Sequence, residues 1–150
     1  MSDDPVPTLW VLHGPNLDRL GRREPEVYGH GTLADVDTAC AAEAAALGYA
    51  LVCRQSAHEG ELIGWLHEAA DRGVAGIVLN PGGYTHTSVA LRDAIASIDA
   101  PVVEVHLSNV HARERFRHVT ITGGACVGTI AGLGVEGYLA ALRYLAGSSG

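Results

Sequence analysis

Four short apolar runs, each ending abruptly in hydrogen-bonding residues, constrain most what this 150-residue chain can fold into. Leu9-Trp10-Val11-Leu12 ends in His13-Gly14-Pro15-Asn16, and Ala50-Leu51-Val52-Cys53 ends in Arg54-Gln55-Ser56. Ile77-Val78-Leu79 ends in Asn80-Pro81-Gly82-Gly83-Tyr84-Thr85-His86, and Val102-Val103-Glu104-Val105 ends in His106-Leu107-Ser108-Asn109. In an open parallel α/β sheet, ligands bind beyond the carboxyl ends of the strands. Read as parallel strands, the four runs bring all four polar clusters to one cleft.

Helical patterns alternate with these runs. Thr32 reads as an N-cap with Asp35 in the first turn, and the alanine-rich segment Leu33 to Leu47 has high helix propensity, closed by Gly48. A strand over Tyr49 to Arg54 leads to a helix from about Glu61 to Ala70, ended by Gly73. A strand from Ala75 to Asn80 leads to a helix from about Ser88 to Ile98. Pro101 opens the next strand, and a short polar helix follows from Val110 to Arg115. A weaker fifth strand reads at Val119 to Thr122, and a last helix spans about Val135 to Leu145. Alternation of this kind implies βαβ units around a parallel sheet. The expectation is one α/β domain over residues 1–150: a flavodoxin-like three-layer sandwich with a five-stranded parallel sheet, order 2-1-3-4-5. Residues 1–6 and 147–150 read as flexible ends. The irregular stretch Gly14 to Gly31 is too long for a simple connection. With Arg19, Arg22, Arg23 and Tyr28 it reads as a lid, about 17–31, over an anionic ligand; the alternative is a solvated surface loop.

The formal charge of −7, with no basic stretch, argues against nucleic acid or an anionic membrane surface as partner. No apolar run approaches the roughly 18 residues that span a bilayer. The acidic start Met1-Ser2-Asp3-Asp4-Pro5 lacks an apolar signal core, so a cytoplasmic location is expected. Cys40, Cys53 and Cys126 are too scattered for a disulfide framework or a zinc ribbon and read as buried reduced thiols. No G-x-G-x-x-G or P-loop motif follows the first strand, and neither His58-Glu59 nor His67-Glu68 completes H-E-x-x-H. There is no G-x-S-x-G. No metal or cofactor is therefore expected. The chain also contains no lysine, which excludes a lysine Schiff base. Acid–base chemistry by side chains remains. His106 at a strand end lies two residues after Glu104, on the same strand face. Glu104 either orients a working His106 or forms a satisfied structural pair with it, and both readings stand.

Longer matches narrow the field. Gly14-Pro15-Asn16-Leu17, Arg23-Glu24-Pro25-Glu26-Val27-Tyr28-Gly29, Arg54-Gln55-Ser56 and His58-Glu59-Gly60-Glu61-Leu62 resemble the signature of type II 3-dehydroquinate dehydratases. Asn80-Pro81-Gly82, Tyr84-Thr85-His86-Thr87-Ser88, Val103 to Asn109, Arg113, Phe116, Arg117, Gly132-Leu133-Gly134 and Gly137-Tyr138 continue the resemblance over nearly the whole chain. It implies an enzyme of the shikimate pathway that removes water from 3-dehydroquinate by anti elimination through an enolate, with neither metal nor imine. Carried over by position, Tyr28 resembles the base, and Arg23 the arginine that favours its phenolate. Asn16 resembles the residue that holds a water against the enolate oxygen. His106, supported by Glu104, resembles the acid for the departing hydroxyl. Asn80, His86, Asp93 and Arg117 match substrate-binding positions, and the backbone at Leu107 and Ser108 is expected to receive the substrate carboxylate. Arg113 resembles a supporting or interface residue. The resemblance further implies a dodecamer, a tetramer of trimers, with Asp93 reaching a neighbour's site. His13, Ala57, Gly83, Arg19, Arg115 and the pair Val119-Thr120 depart from the family's common residues. His13 reads as filling space rather than tuning the site. A non-catalytic flavodoxin-like module would need a phosphoacceptor aspartate or a phosphate-cradling loop, and His13-Gly14-Pro15-Asn16 supplies neither. A homologue that binds without turnover is the third reading.

Overall fold

Alternation along the strands sorts side chains between two cores. Leu9 and Val11 of β1 (Thr8–His13) face one way, and Trp10 and Leu12 the other. The structure, a computed structural model, describes residues 5–22, 26 and 31–149. Among them, β1 is followed by α1 (Leu33–Leu47), β2 (Ala50–Gln55), α2 (Glu59–Asp71), β3 (Gly76–Asn80), α3 (Val89–Ser97), β4 (Val102–His106), β5 (Gly128–Ala131) and α4 (Val135–Ser149). The five strands are all parallel, in the order β2-β1-β3-β4-β5. The expected fold and strand order are found.

Helices α1 and α4 cover the face of Leu9, Val11, Val78, Val103 and Val105, where Val36, Cys40, Tyr138, Leu142 and Leu145 join the core. Helices α2 and α3 cover the face of Trp10, Leu12, Ile77, Leu79 and Val102, meeting Leu62, Leu66, Leu91 and Ile95. Each fully buried large side chain contributes roughly 1.5–3 kcal/mol by leaving water. The helix starts are set by capping. Thr32 Oγ1 accepts from the Asp35 amide (3.2 Å) and Asp35 Oδ2 from the Thr32 amide (2.9 Å), a reciprocal box. Ser88 Oγ accepts from the Leu91 amide at 2.9 Å and starts α3. No helix among the described residues is long and apolar enough to cross a membrane.

Three expectations are corrected. The fifth strand is Gly128–Ala131, not Val119 to Thr122. The Ile121 amide bonds the Thr85 carbonyl at 2.7 Å, while the Thr120 and Thr122 hydroxyls turn to Glu104, so that stretch serves β4's side chains rather than a ladder. The polar helix expected at Val110 to Arg115 is two 3₁₀ turns, Val110–Ala112 and Arg115–Arg117. Arg113 between them is extended, and its guanidinium donates to Ser108 Oγ at 3.4 Å. The last helix continues to Ser149, past Leu145.

The strand ends are joined closely. The Gly14 amide donates to the Asn80 carbonyl at 2.7 Å, and a Cβ at Gly14 would stand 2.5 Å from the Pro81 carbonyl oxygen. Only glycine lets the β1 and β3 loops approach this closely. Gly14→Ala is expected to cost about 1–3 kcal/mol, as overpacking against a backbone atom does. Urea unfolding reads this directly, and an unchanged midpoint contradicts the close fit.

Candidate active site

The cleft opens beyond the carboxyl ends of β1, β3 and β4, at the point where the strand order reverses. It has about 150 Å³ of free volume. Pro15, Asn16 and Leu17 follow β1 into it. Asn80, Gly82, Gly83 and His86 come from β3 and its loop, and His106, Leu107, Ser108, Val110, Arg113 and Arg117 from β4 and its loops. Three of the four polar clusters thus converge. The fourth does not: β2 lies at the sheet edge, and Arg54 turns away to a two-pronged bond with Glu68 (2.9 and 3.1 Å), its guanidinium 4.4 Å above the Trp10 ring.

The lining carries two guanidiniums and two imidazoles and no carboxylate among the described residues. Such a lining favours an anion. Arg117 is steadied by Glu114, its Nε 2.7 Å from Oε2. His86 donates from Nδ1 to the Val119 carbonyl at 2.7 Å, so a neutral ring presents Nε2 as an acceptor. Asn16 holds the left-handed conformation, φ 71°, and is the only non-glycine residue with positive φ among those described. Backbone in this region is held against an intrinsic preference and clusters at functional sites.

On the cleft wall, His106 Nε2 lies 2.9 Å from Glu104 Oε2. Glu104 is fully buried. Its Oε2 also accepts from Thr120 Oγ1 at 2.8 Å, its Oε1 accepts from Thr122 Oγ1, and Thr85 Oγ1 bridges Thr122 and His106 at 3.1 and 3.4 Å. Burial pushes the Glu104 carboxyl up, but the bonds from His106, Thr122 and Thr120 and the charge of His106 together hold it below its ordinary value. The carboxylate therefore stays ionised, accepts the Nε2 proton and leaves Nδ1 as the nitrogen free to exchange a proton.

Of the residues expected from sequence, the cleft gathers Asn16, Asn80, His86, His106, Leu107, Ser108 and Arg117, with Glu104 directly behind His106. Asp93 is exposed on α3 and does not line it. Arg23 and Tyr28 lie outside the described residues, so the geometry of the expected base and its arginine does not enter here. Sequence reasoning did not assign Thr85, Thr120 and Thr122. The signal was present, since Thr120 and Thr122 stand at i and i+2, where an extended segment turns both hydroxyls to one side. Among the described residues, no group of three His, Cys, Asp or Glu is placed to hold a metal ion.

Comparison with known proteins identifies the family. The family model described as dehydroquinase class II matches residues 7–146. The chain belongs to the class II dehydroquinase family. It is 59% identical over 140 residues to a 3-dehydroquinate dehydratase of Chelativorans sp., covering 93% of this chain and 96% of that one. It is 53% identical over 150 residues to one of Bradyrhizobium sp., covering 100% and 92%. Among solved structures, the type II dehydroquinase of Propionibacterium acnes matches with a TM-score of 0.90 at 44% identity, over 93% of this chain and 96% of that one.

The Glu104 carboxyl generates a pH prediction. A folded value below the unfolded one contributes stability that is present above about pH 4.3 and lost as pH falls through the folded value. The urea midpoint of wild type is therefore expected to fall between about pH 5 and pH 3 more steeply than that of Glu104→Gln, which has no such proton to take up. Thr122→Val removes one of the lowering bonds and flattens the profile in the same direction. Parallel profiles in all three proteins contradict an ionised Glu104.

Proposed function

We propose that this chain removes water from 3-dehydroquinate to give 3-dehydroshikimate, as a hydro-lyase of the shikimate pathway. The observation that carries the reading is the buried Glu104 bonded to His106 on the wall of a cationic cleft. Tyr28, kept as phenolate by Arg23, removes the proton from the carbon next to the ketone. The electron pair moves onto the ketone oxygen as an enolate, and a water held by Asn16 donates to that oxygen. The enolate then collapses, a carbon–carbon double bond forms, and the carbon–oxygen bond to the leaving hydroxyl breaks. His106, protonated and paired with Glu104, hands that hydroxyl a proton, and it departs as water. The substrate carboxylate lies against the backbone at Leu107 and Ser108, and Arg117, His86 and Asn80 bind its polar groups. No step requires a metal or a lysine, and the chain has none of the latter.

The same reading places the enzyme in the cytoplasm as a homododecamer, a tetramer of trimers. Phe116 and Val119, 64% and 67% exposed in the single chain, are apolar side chains that such an assembly covers. Asp93, directed outward on α3, reaches the site of a neighbouring subunit.

Purified protein treated with chelator is expected to convert 3-dehydroquinate to a product with the ultraviolet absorbance of a conjugated enone. Absence of turnover contradicts the reading. Tyr28→Phe and His106→Ala are each expected to lower kcat by about 10² to 10⁴-fold with the fold intact. Full activity in either variant rejects the role given to that residue.

A further inference from the structure

His13 is a buried ionisable side chain at the end of β1, and nothing in the reaction above uses it. Its place in the fold is specific. It is the last residue of β1, fully buried, on the face covered by α1 and α4, and it pairs in register with Asn80 of β3. Alternation turns both side chains toward Tyr138 of α4, itself fully buried. Four groups join in series. Asn80 Nδ2 lies 3.0 Å from Tyr138 Oη, Tyr138 Oη lies 3.2 Å from His13 Nδ1, and His13 Nε2 lies 2.7 Å from Asp37 Oδ1 of α1.

For a neutral His13 ring, the direction of every bond follows from its ends. The Asp37 carboxylate only accepts, so His13 carries its proton on Nε2. With the ring neutral, Nδ1 then accepts, and the Tyr138 hydroxyl donates to it. Burial pushes the Tyr138 phenol well above its ordinary range, so this hydroxyl keeps the proton it donates. Having spent its proton on His13, Tyr138 accepts from Asn80 Nδ2. At the other end, Asn80 Oδ1 accepts the Gly82 amide at 3.1 Å. Both ends demand the same orientation of the Asn80 amide. A flipped amide would set two donors face to face at Gly82 and aim its oxygen at the lone pairs of Tyr138.

We propose that His13 and Tyr138 are positioning residues for the reaction, which lock the Asn80 amide so that its second N–H is offered to the cleft as a donor for a substrate oxygen. This deepens the function proposed above and rests on it. A flipped amide would place an acceptor there, facing a substrate rich in oxygen acceptors. The chain from Asp37 to Asn80 acts on binding rather than on proton transfer, so its loss belongs in KM more than in kcat.

A double-mutant cycle with 3-dehydroquinate separates positioning from general structural support. Tyr138→Phe removes only the hydroxyl and is expected to raise KM about five- to tenfold, the worth of one ordinary hydrogen bond, with kcat within about twofold. Asn80→Ala is expected to raise KM further, and Asn80→Ala with Tyr138→Phe to equal Asn80→Ala alone. A Tyr138→Phe enzyme with unchanged KM, or a double variant whose losses multiply, overturns the proposal. A second readout needs no turnover. In protein labelled with ¹⁵N-histidine, the resonances lost in His13→Gln are expected to show, at pH 7, a neutral ring protonated on Nε2. A neutral ring protonated on Nδ1, or a doubly protonated ring, overturns the proposal, because Tyr138 then has no acceptor there for its proton. An inactive wild type with the expected ring fails the assigned reaction and leaves the locked amide standing.

Discussion

A charge with almost no access to water dominates this molecule. Glu104 is enclosed in the sheet's upper edge, and an isolated carboxylate in such a place costs far more than its neighbours' packing returns. It persists because each oxygen is bonded, by Thr120 and His106 on one side and Thr122 on the other. These bonds tie β4 to the segment before β5 and so hold the cleft wall in shape. The same carboxylate gives His106 a fixed orientation. Structure and the proposed chemistry depend here on one interaction, and removing either partner leaves the other buried without an answer.

The sheet divides the site's work between its two faces. Glu104 and His106 lie on the side of α2 and α3, where the threonine hydroxyls gather. His13, Asn80 and Tyr138 lie on the side of α1 and α4. Both groups reach the cleft because β1, β3 and β4 end at nearly the same level. Register sets that level: His13 pairs with Asn80, and Leu79 with Glu104. A slip of one residue would exchange the two faces and dismantle both groups at once. In the proposed reaction, proton transfer and orientation of the substrate are thereby supported by separate networks.

Much of this was legible in the sequence, for physical reasons that differ from residue to residue. The strands β1, β3 and β4 announce themselves as buried apolar runs, and Thr32, Ser88 and Gly48 mark helix ends through capping and a positive φ. Glu104 and His106 are readable as a pair because strand alternation alone places them together. β5 was hidden: Gly128 opens it, Gly132 follows it with φ 90°, and only Thr129, Ile130 and Ala131 stand between them. Val119 to Thr122 looked more like a strand than β5 does, yet its threonines serve Glu104. The left-handed backbone of Asn16 has only a weak local signature, since asparagine takes positive φ more often than other non-glycine residues but seldom does so. His13 read as filler because its partners, Asp37 and Tyr138, lie 24 and 125 residues away along the chain. Arg23 and Tyr28 were assigned from resemblance alone and fall outside the described residues.

The division of labour between acid and base is most directly tested with a substrate analogue whose departing hydroxyl is replaced by a group that leaves as a stable anion and needs no proton. If Glu104 and His106 act together to protonate the leaving oxygen, His106→Ala and Glu104→Gln turn over this analogue at close to the wild-type rate, while Tyr28→Phe remains slow. An analogue that His106→Ala processes as poorly as 3-dehydroquinate itself would contradict that role and leave the buried pair a purely structural one.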